Sequence, residues 1–319
     1  VVRFATELGF EIDFETRRAV EQKAGLLEFI AKERIRDEFV KIIMASRASD
    51  GVRLLEELNL LRYVLPELRE GLGVGQNKHH IYTVFEHNVR ALEYAATQNY
   101  SLEVRTASLL HDVGKPRVKH GDGPDSTFYN HEVVGAKMTA KILDNLRFGK
   151  EFVEKVTHLV RCHLFYYNVG EVAPAGVRRF LARVGSENVD DLMKVREADR
   201  IGSGVPKATP YKIRHLLFMI EKVKQDPISP KMLAVRGDDV MRIANAPPSP
   251  KIGSILSVLL EEVLDDPSKN ERGFLESRIR DLSTLSDKEL HALAEKARDT
   301  KEEFESGVEE GIKKKYHVT

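Results

Sequence analysis

An all-helical protein is what this sequence predicts, and three observations lead there. Apolar residues recur three and four positions apart in segment after segment, the spacing that places them on one face of a helix turning about 100 degrees per residue. Clusters of Gly, Pro and Asp punctuate these segments at 121–125, 202–210, 226–230 and 246–250, where loops are expected. No run of residues reads convincingly as paired strands.

In chain order, the periodicity predicts helices at 15–30, 34–46, 50–58, 84–97, 102–113, 132–146, 150–163, 175–184, 189–201 and 210–224. Five of them carry a polar residue on the apolar stripe. His87 shares its face with Val84, Ala91 and Tyr94, and is therefore expected to be buried. His111 lies in line with Val104, Ala107 and Ser108, small enough to admit a neighbouring helix. His131 opens the next helix behind Asn130, the expected N-cap, and its face continues through Val134, Gly135, Met138 and Ile142. His163 extends the stripe of Val156, Leu159 and Val160, whereas His158 points away from it. Asp199 shares a side with Leu192 and Val195, a costly place for a carboxylate with nothing to bind. Beyond residue 281, Leu282, Leu285, Leu290, Leu293 and Ala294 outline one amphipathic helix before a Lys313-Lys314-Lys315 tail expected to fray.

The chemistry centres on Leu110-His111-Asp112-Val113-Gly114. An adjacent histidine and carboxylate offer nitrogen and hard oxygen to a divalent ion, which activates water near neutral pH. A single histidine on an apolar stripe is more often a hydrogen-bonded core residue. Here, however, His87, His111, Asp112, His131, His163 and Asp199 all fall on inward faces, and together they predict a metal centre. Lys115 either sits beside a bound phosphate or is a solvated lysine at a helix C-terminus. His79, His80, His120, His158, His215, His291 and His317 are assigned no role.

Composition narrows the class. A chain of 319 residues with 42% hydrophobic content can fill two or three cores. Neither an apolar run of spanning length nor an N-terminal apolar stretch occurs, so a cytoplasmic location and no membrane partner are expected. Cys162 stands alone, which excludes an internal disulfide and a Cys-x-x-Cys zinc site. Fifty basic residues balance fifty acidic ones, arguing against a general polyanion binder. RNA contact would need local patches, and the candidates are Arg17-Arg18, Arg34 with Arg36, and Arg178-Arg179 with Arg183.

His87, His111-Asp112 and Asp199 together resemble the HD phosphohydrolase superfamily, and His131 with His163 resembles its two-metal members. The resemblance implies that His87, His111, Asp112 and Asp199 hold one ion, that Asp112 bridges, that His131 and His163 complete a second site, and that Lys115 lies beside the phosphate. A second resemblance covers nearly the whole chain. Val1 to Asp13 with Thr16, Glu33-Arg34-Ile35 with Glu38, Leu54-Leu55 to Leu68, Gln76 to His87, and Pro247 to Leu256 with Asp266-Pro267 and Asn270 look like bacterial class II CCA-adding tRNA nucleotidyltransferases. That family's N-terminal head, with its Gly-Ser turn and Asp-x-Asp pair, has no counterpart here, and the chain opens on Val1. A headless portion of a longer enzyme is therefore expected, unable by itself to transfer nucleotides.

These resemblances imply a helical neck and body (1–75), an HD domain (76–215) and a C-terminal helical region with a tail (216–319). One or two ions of Mg, Mn, Ni, Fe, Co or Zn would serve hydrolysis of phosphomonoesters or 2',3'-cyclic phosphodiesters on nucleotides or RNA ends. The implied partners are tRNA or nucleotide substrate and a nucleotidyltransferase head in the parent chain. Two alternatives stay open: a tRNA-binding module with a silent HD site, and an HD hydrolase of a signalling nucleotide.

Overall fold

The computed structural model describes residues 1–76, 81–223, 226 and 229–293. His79, His80, Ala294, Lys313-Lys314-Lys315 and His317 lie outside them, as does Lys224 at the expected end of one helix. Helices run in the order α1 (Val2–Leu8), α2 (Phe14–Lys23), α3 (Lys32–Met44), α4 (Ala48–Glu57), α5 (Leu61–Val64), α6 (Pro66–Arg69), α7 (Val84–Thr97), α8 (Leu102–Leu110) and α9 (Lys115–Val118). They continue as α10 (His131–Asn145), α11 (Lys150–Cys162), α12 (Pro174–Val184), α13 (Val189–Gly202), α14 (Tyr211–Val223), α15 (Gly237–Ala244), α16 (Pro250–Asp265) and α17 (Arg272–Ser283). The described residues form no strand, only one antiparallel bridge between His120 and Thr127. None of the described helices is long and apolar enough to cross a membrane.

The chain folds as two compact units: residues 1–164 with 188–209, and residues 165–187 with 210 onward. In the first, α7 is the hub, packing against α4, α8 and α13, while α11 packs against α8 and α10. Local chemistry starts these helices where they are needed. Thr83 accepts a hydrogen bond from Glu86 N at 3.3 Å and Ser101 accepts one from Val104 N at 3.4 Å, each satisfying an otherwise unpaired N-terminal donor. At Gly202 a Cβ would meet Ala91 N at 2.9 Å and His87 O at 3.0 Å, so only glycine lets α13 lie this close to α7. Arg105 is fully buried and serves as a staple. It donates to Ile43 O (3.0 Å) and Ala45 O (3.1 Å) at the end of α3, and to Tyr100 O (2.9 Å) and Asn99 Oδ1 (3.0 Å) after α7.

In the second unit α15, α16 and α17 close on Val235, Val240, Ile255, Leu259, Leu275 and Ile279, and α12 packs against α14 and α16.

Several local expectations need correction. The helix expected over 15–30 stops at Lys23 and continues as a 3-10 turn, Ala24–Phe29; Gly25 falls where a helix interior disfavours glycine. Asn130 stands at the N-cap position of α10 with φ 59° and makes no side-chain cap. The helix expected over 102–113 ends at Leu110, leaving His111 as its C-cap. The C-terminal leucines divide between two helices, Leu282 in α17 and Leu290 and Leu293 in residues 287–293.

Candidate metal centre

The turn after α8 carries His111 and Asp112 into the first unit's interior, and Gly114 makes this possible. A Cβ there would stand 2.4 Å from His131 O and 2.6 Å from Gly135 N, backbone atoms that cannot yield. The turn thus rests directly on the first turns of α10, bringing His131 to Asp112. His163 arrives as the C-cap of α11, and His87 and Asp199 come from the first turn of α7 and the end of α13. All six are buried.

They form two groups that could each hold a metal ion: His87, His111 and Asp199 in one, Asp112, His131 and His163 in the other. Asp112 faces both. Its Oδ2 lies 3.1 Å from His87 Nε2 and 3.3 Å from His111 Nε2. Its Oδ1 lies 3.3 Å from His131 Nε2 and 3.6 Å from His163 Nε2. Asp199 Oδ1 approaches His87 Nε2 at 3.3 Å and His111 Nε2 at 3.6 Å. His158, on the same helix as His163's approach, joins neither group, in keeping with its position off the apolar stripe.

The donor set itself tests whether an ion fits. His111 Nδ1 bonds to Ser108 O at 2.8 Å, His131 Nδ1 to Phe128 O at 2.8 Å and His163 Nδ1 to Val160 O at 2.7 Å. Carbonyls only accept, so each Nδ1 carries the proton and each neutral ring presents an Nε2 lone pair. Yet His87 Nε2 stands 2.9 Å from His111 Nε2, and His131 Nε2 stands 3.3 Å from His163 Nε2. Lone pairs so close, as on His131 and His163, repel unless a metal ion or a proton lies between them. Ligands about 2.1 Å from a first-row ion stand about 3.0 Å apart in an octahedron and about 3.4 Å apart in a tetrahedron, and the separations here match. Nitrogen-rich coordination favours a transition ion over magnesium.

The surrounding charges keep an additional proton on His111 that an ion must displace. Burial works to depress His111, but Asp112 and Asp199 beside it raise its pKa to about 10. Burial lowers His163, with Asp112 opposing. Burial would raise Asp112, but Lys115 and the histidines hold it well below the usual carboxylate range. Asp199 is likewise held low against burial, chiefly by Arg196.

Lys115 is buried, which removes the solvated alternative. Its Nζ donates to Gln76 Oε1 at 2.6 Å and pairs with Asp112 Oδ2 at 2.6 Å. Two residues that sequence reasoning missed support the site from behind. Gln76 also donates to Tyr82 O (3.3 Å), and Arg196 Nη1 lies 2.5 Å from Asp199 Oδ2. Arg196, one helical turn before Asp199, was detectable from its spacing; Gln76 left no such signal. A cavity of about 320 Å³ beside Lys32, Tyr63 and Arg147 belongs to the same unit but is lined by none of these residues.

The arginine candidates separate. Arg18 and Arg34 are exposed. Arg17 pairs with Glu57 at 2.5 Å, and Arg36 is held by Asp37 and by Arg147 O. Arg178 lies in the interior of the second unit, contrary to its expected place on an RNA-facing patch. It donates to Leu264 O, Asp265 O and Asp226 and so satisfies the carbonyls ending α16. Arg179 is tied to Glu261 and Asp265.

Residues 84–203 match the family described as "HD domain", and residues 9–72 match "Probable RNA and SrmB-binding site of polymerase A". Two segments of the chain thus match known families, one described as an HD domain and one as an RNA-binding region. Over the portion that aligns, the chain is similar to tRNA nucleotidyltransferases. It is 36% identical over 273 residues to the A-adding tRNA nucleotidyltransferase of Deinococcus radiodurans, covering 81% of this chain and 62% of that protein. To the CC-adding tRNA nucleotidyltransferase of Thermus thermophilus it is 34% identical over 269 residues, 82% of this chain and 60% of that protein. It thus spans less than two thirds of the length of either relative. The Bacillus stearothermophilus CCA-adding enzyme, solved in complex with CTP, shares the fold with a TM-score of 0.60 over 88% of this chain and 59% of that one, at 20% identity.

Proposed function

We propose that this chain is the neck, body and HD portion of a CCA-adding tRNA nucleotidyltransferase-like protein. Its metal centre would hydrolyse phosphomonoesters or 2',3'-cyclic phosphodiesters of nucleotides or RNA ends. One observation carries the reading: a buried carboxylate, Asp112, whose two oxygens each face a different pair of imidazole nitrogens. His87, His111, Asp112 and Asp199 would hold one ion, and Asp112, His131 and His163 a second. A divalent ion supplies Lewis-acid charge to a phosphoryl group and lowers the pKa of water. The protein's own side chains do the rest. Asp112 orients the attacking water, and Lys115, steadied by Gln76, offers its ammonium to a phosphate oxygen. Arg196 fixes Asp199 in place.

In this reading residues 1–75 form the neck and body, 76–215 the HD domain and 216–319 the C-terminal region. The partners are tRNA or a nucleotide, with a nucleotidyltransferase head in the parent chain, in the cytoplasm. The test is turnover of p-nitrophenyl phosphate and 2',3'-cyclic AMP with Mg, Mn, Ni, Fe, Co and Zn in turn. Asp112→Ala is expected to lower metal-dependent turnover at least 100-fold; unchanged turnover overturns the hydrolase reading. The match over residues 9–72 favours a second reading, a tRNA-binding module with a silent metal centre. Tight tRNA binding without turnover under any metal would select it.

A further inference from the structure

We infer that the outward face of α14 is a stacking platform for unpaired RNA bases. At about 100 degrees per residue, Tyr211, His215, Phe218 and Lys222 fall within an arc of about 60 degrees on this helix. Ile213, Leu216, Ile220 and Val223 occupy the opposite side and are buried. The core is therefore served without the aromatic stripe, and Tyr211 and Phe218 remain 61% and 62% exposed. Their rings form an ordered array. His215 lies between them, its centroid 5.9 Å from Tyr211 and 6.0 Å from Phe218. It is held from behind by a 2.6 Å hydrogen bond between its Nδ1 and Tyr167 Oη.

Charge selects the occupant. Arg214 and Lys222 flank the rings, are exposed, and pair with no carboxylate among the described residues. Lys212 adds a third cation, donating to Asn168, and Glu221 is the helix's one acidic residue. Exposed rings bordered by unpaired cations are the pattern of single-stranded nucleic-acid sites, where bases stack on π-faces and phosphates meet Lys and Arg. A second copy of the chain fits poorly, because a two-fold contact would set these cations against their own equivalents. A base-paired duplex offers no free base faces. The chain carries no net charge, so the attraction must be local, as it is here.

The experiment is fluorescence anisotropy of the full chain with a fluorescein-labelled adenosine dodecamer and a labelled, fully paired RNA hairpin whose strands are joined by a non-nucleotide ethylene-glycol linker. Tyr211→Ala with Phe218→Ala is expected to weaken dodecamer binding about 10-fold or more and leave hairpin binding unchanged. Tyr211→Leu with Phe218→Leu keeps the apolar area and should lose as much; Tyr211→Trp with Phe218→Trp should restore it. Wild-type affinity in the leucine variant, equal losses on the hairpin, or a change only in sedimentation each overturns the inference. The inference does not rest on hydrolysis: Asp112→Ala removes turnover while leaving α14 and this binding intact, so the two readings fail separately.

Discussion

Affinity for a divalent ion should climb steeply with pH, and the structure sets both slope and window. His111 has a pKa of about 10: burial opposes its charge, but Asp112 Oδ2 at 3.3 Å and Asp199 Oδ1 at 3.6 Å outweigh burial. Its Nδ1–H is committed to Ser108 O, so the additional proton sits on Nε2, the atom an ion requires. Binding at pH 7 must therefore displace one proton. Apparent affinity rises about tenfold per pH unit, about 100-fold between pH 7 and 9, and levels near 10. An unperturbed histidine would confine this window to about pH 6.5 and below. Competition with a chelator for manganese at pH 7, 8 and 9 measures the slope, and proton release in weakly buffered solution counts the protons. A flat affinity over this range, or no released proton, refutes the reasoning. The same linkage governs stability of the metal-free protein. The folded pKa lies above the unfolded value of 6.5, so the contribution of His111 is complete below 6.5 and is lost as pH rises through about 10. At 1.36 kcal/mol per unit this interval is on the order of 5 kcal/mol. Asp112 and Asp199 act at the acid end, contributing stability above their ordinary pKa of 3.8 and losing it as pH falls through their lowered values.

Gly114→Ala should cost about 3 kcal/mol or more in chemical denaturation, since overpacking against backbone cannot relax by a side-chain rotation, and should lower the bound-metal count. Arg105→Met leaves the Ile43, Ala45 and Tyr100 carbonyls without their donor; at ~1–3 kcal/mol per buried unsatisfied group, unfolding stability should drop by about 3–5 kcal/mol, whereas a drop under about 1 kcal/mol would remove the staple assignment. Arg196→Met frees Asp199 without touching a ligand, and should weaken metal binding about 10–100-fold with a melting curve close to the parent's.

The sequence by itself determined the helices that carry the candidate ligands. α7 spans the expected 84–97, α11 and α13 differ from expectation by one residue at one end, and α10 is shifted by one residue at both. Periodicity and caps are local signals, and each ligand betrayed itself as a polar residue on an apolar stripe. Only the tertiary structure decided that Lys115 answers to Gln76 and that Arg178 is an interior cap. It also decided that residues 165–187 join the C-terminal unit while 188–209 return to the first. A helical stripe states that a side chain turns inward, but its partner is chosen by packing between segments far apart in the chain, where backbone approaches such as Gly114 on His131 set distances that no local pattern encodes.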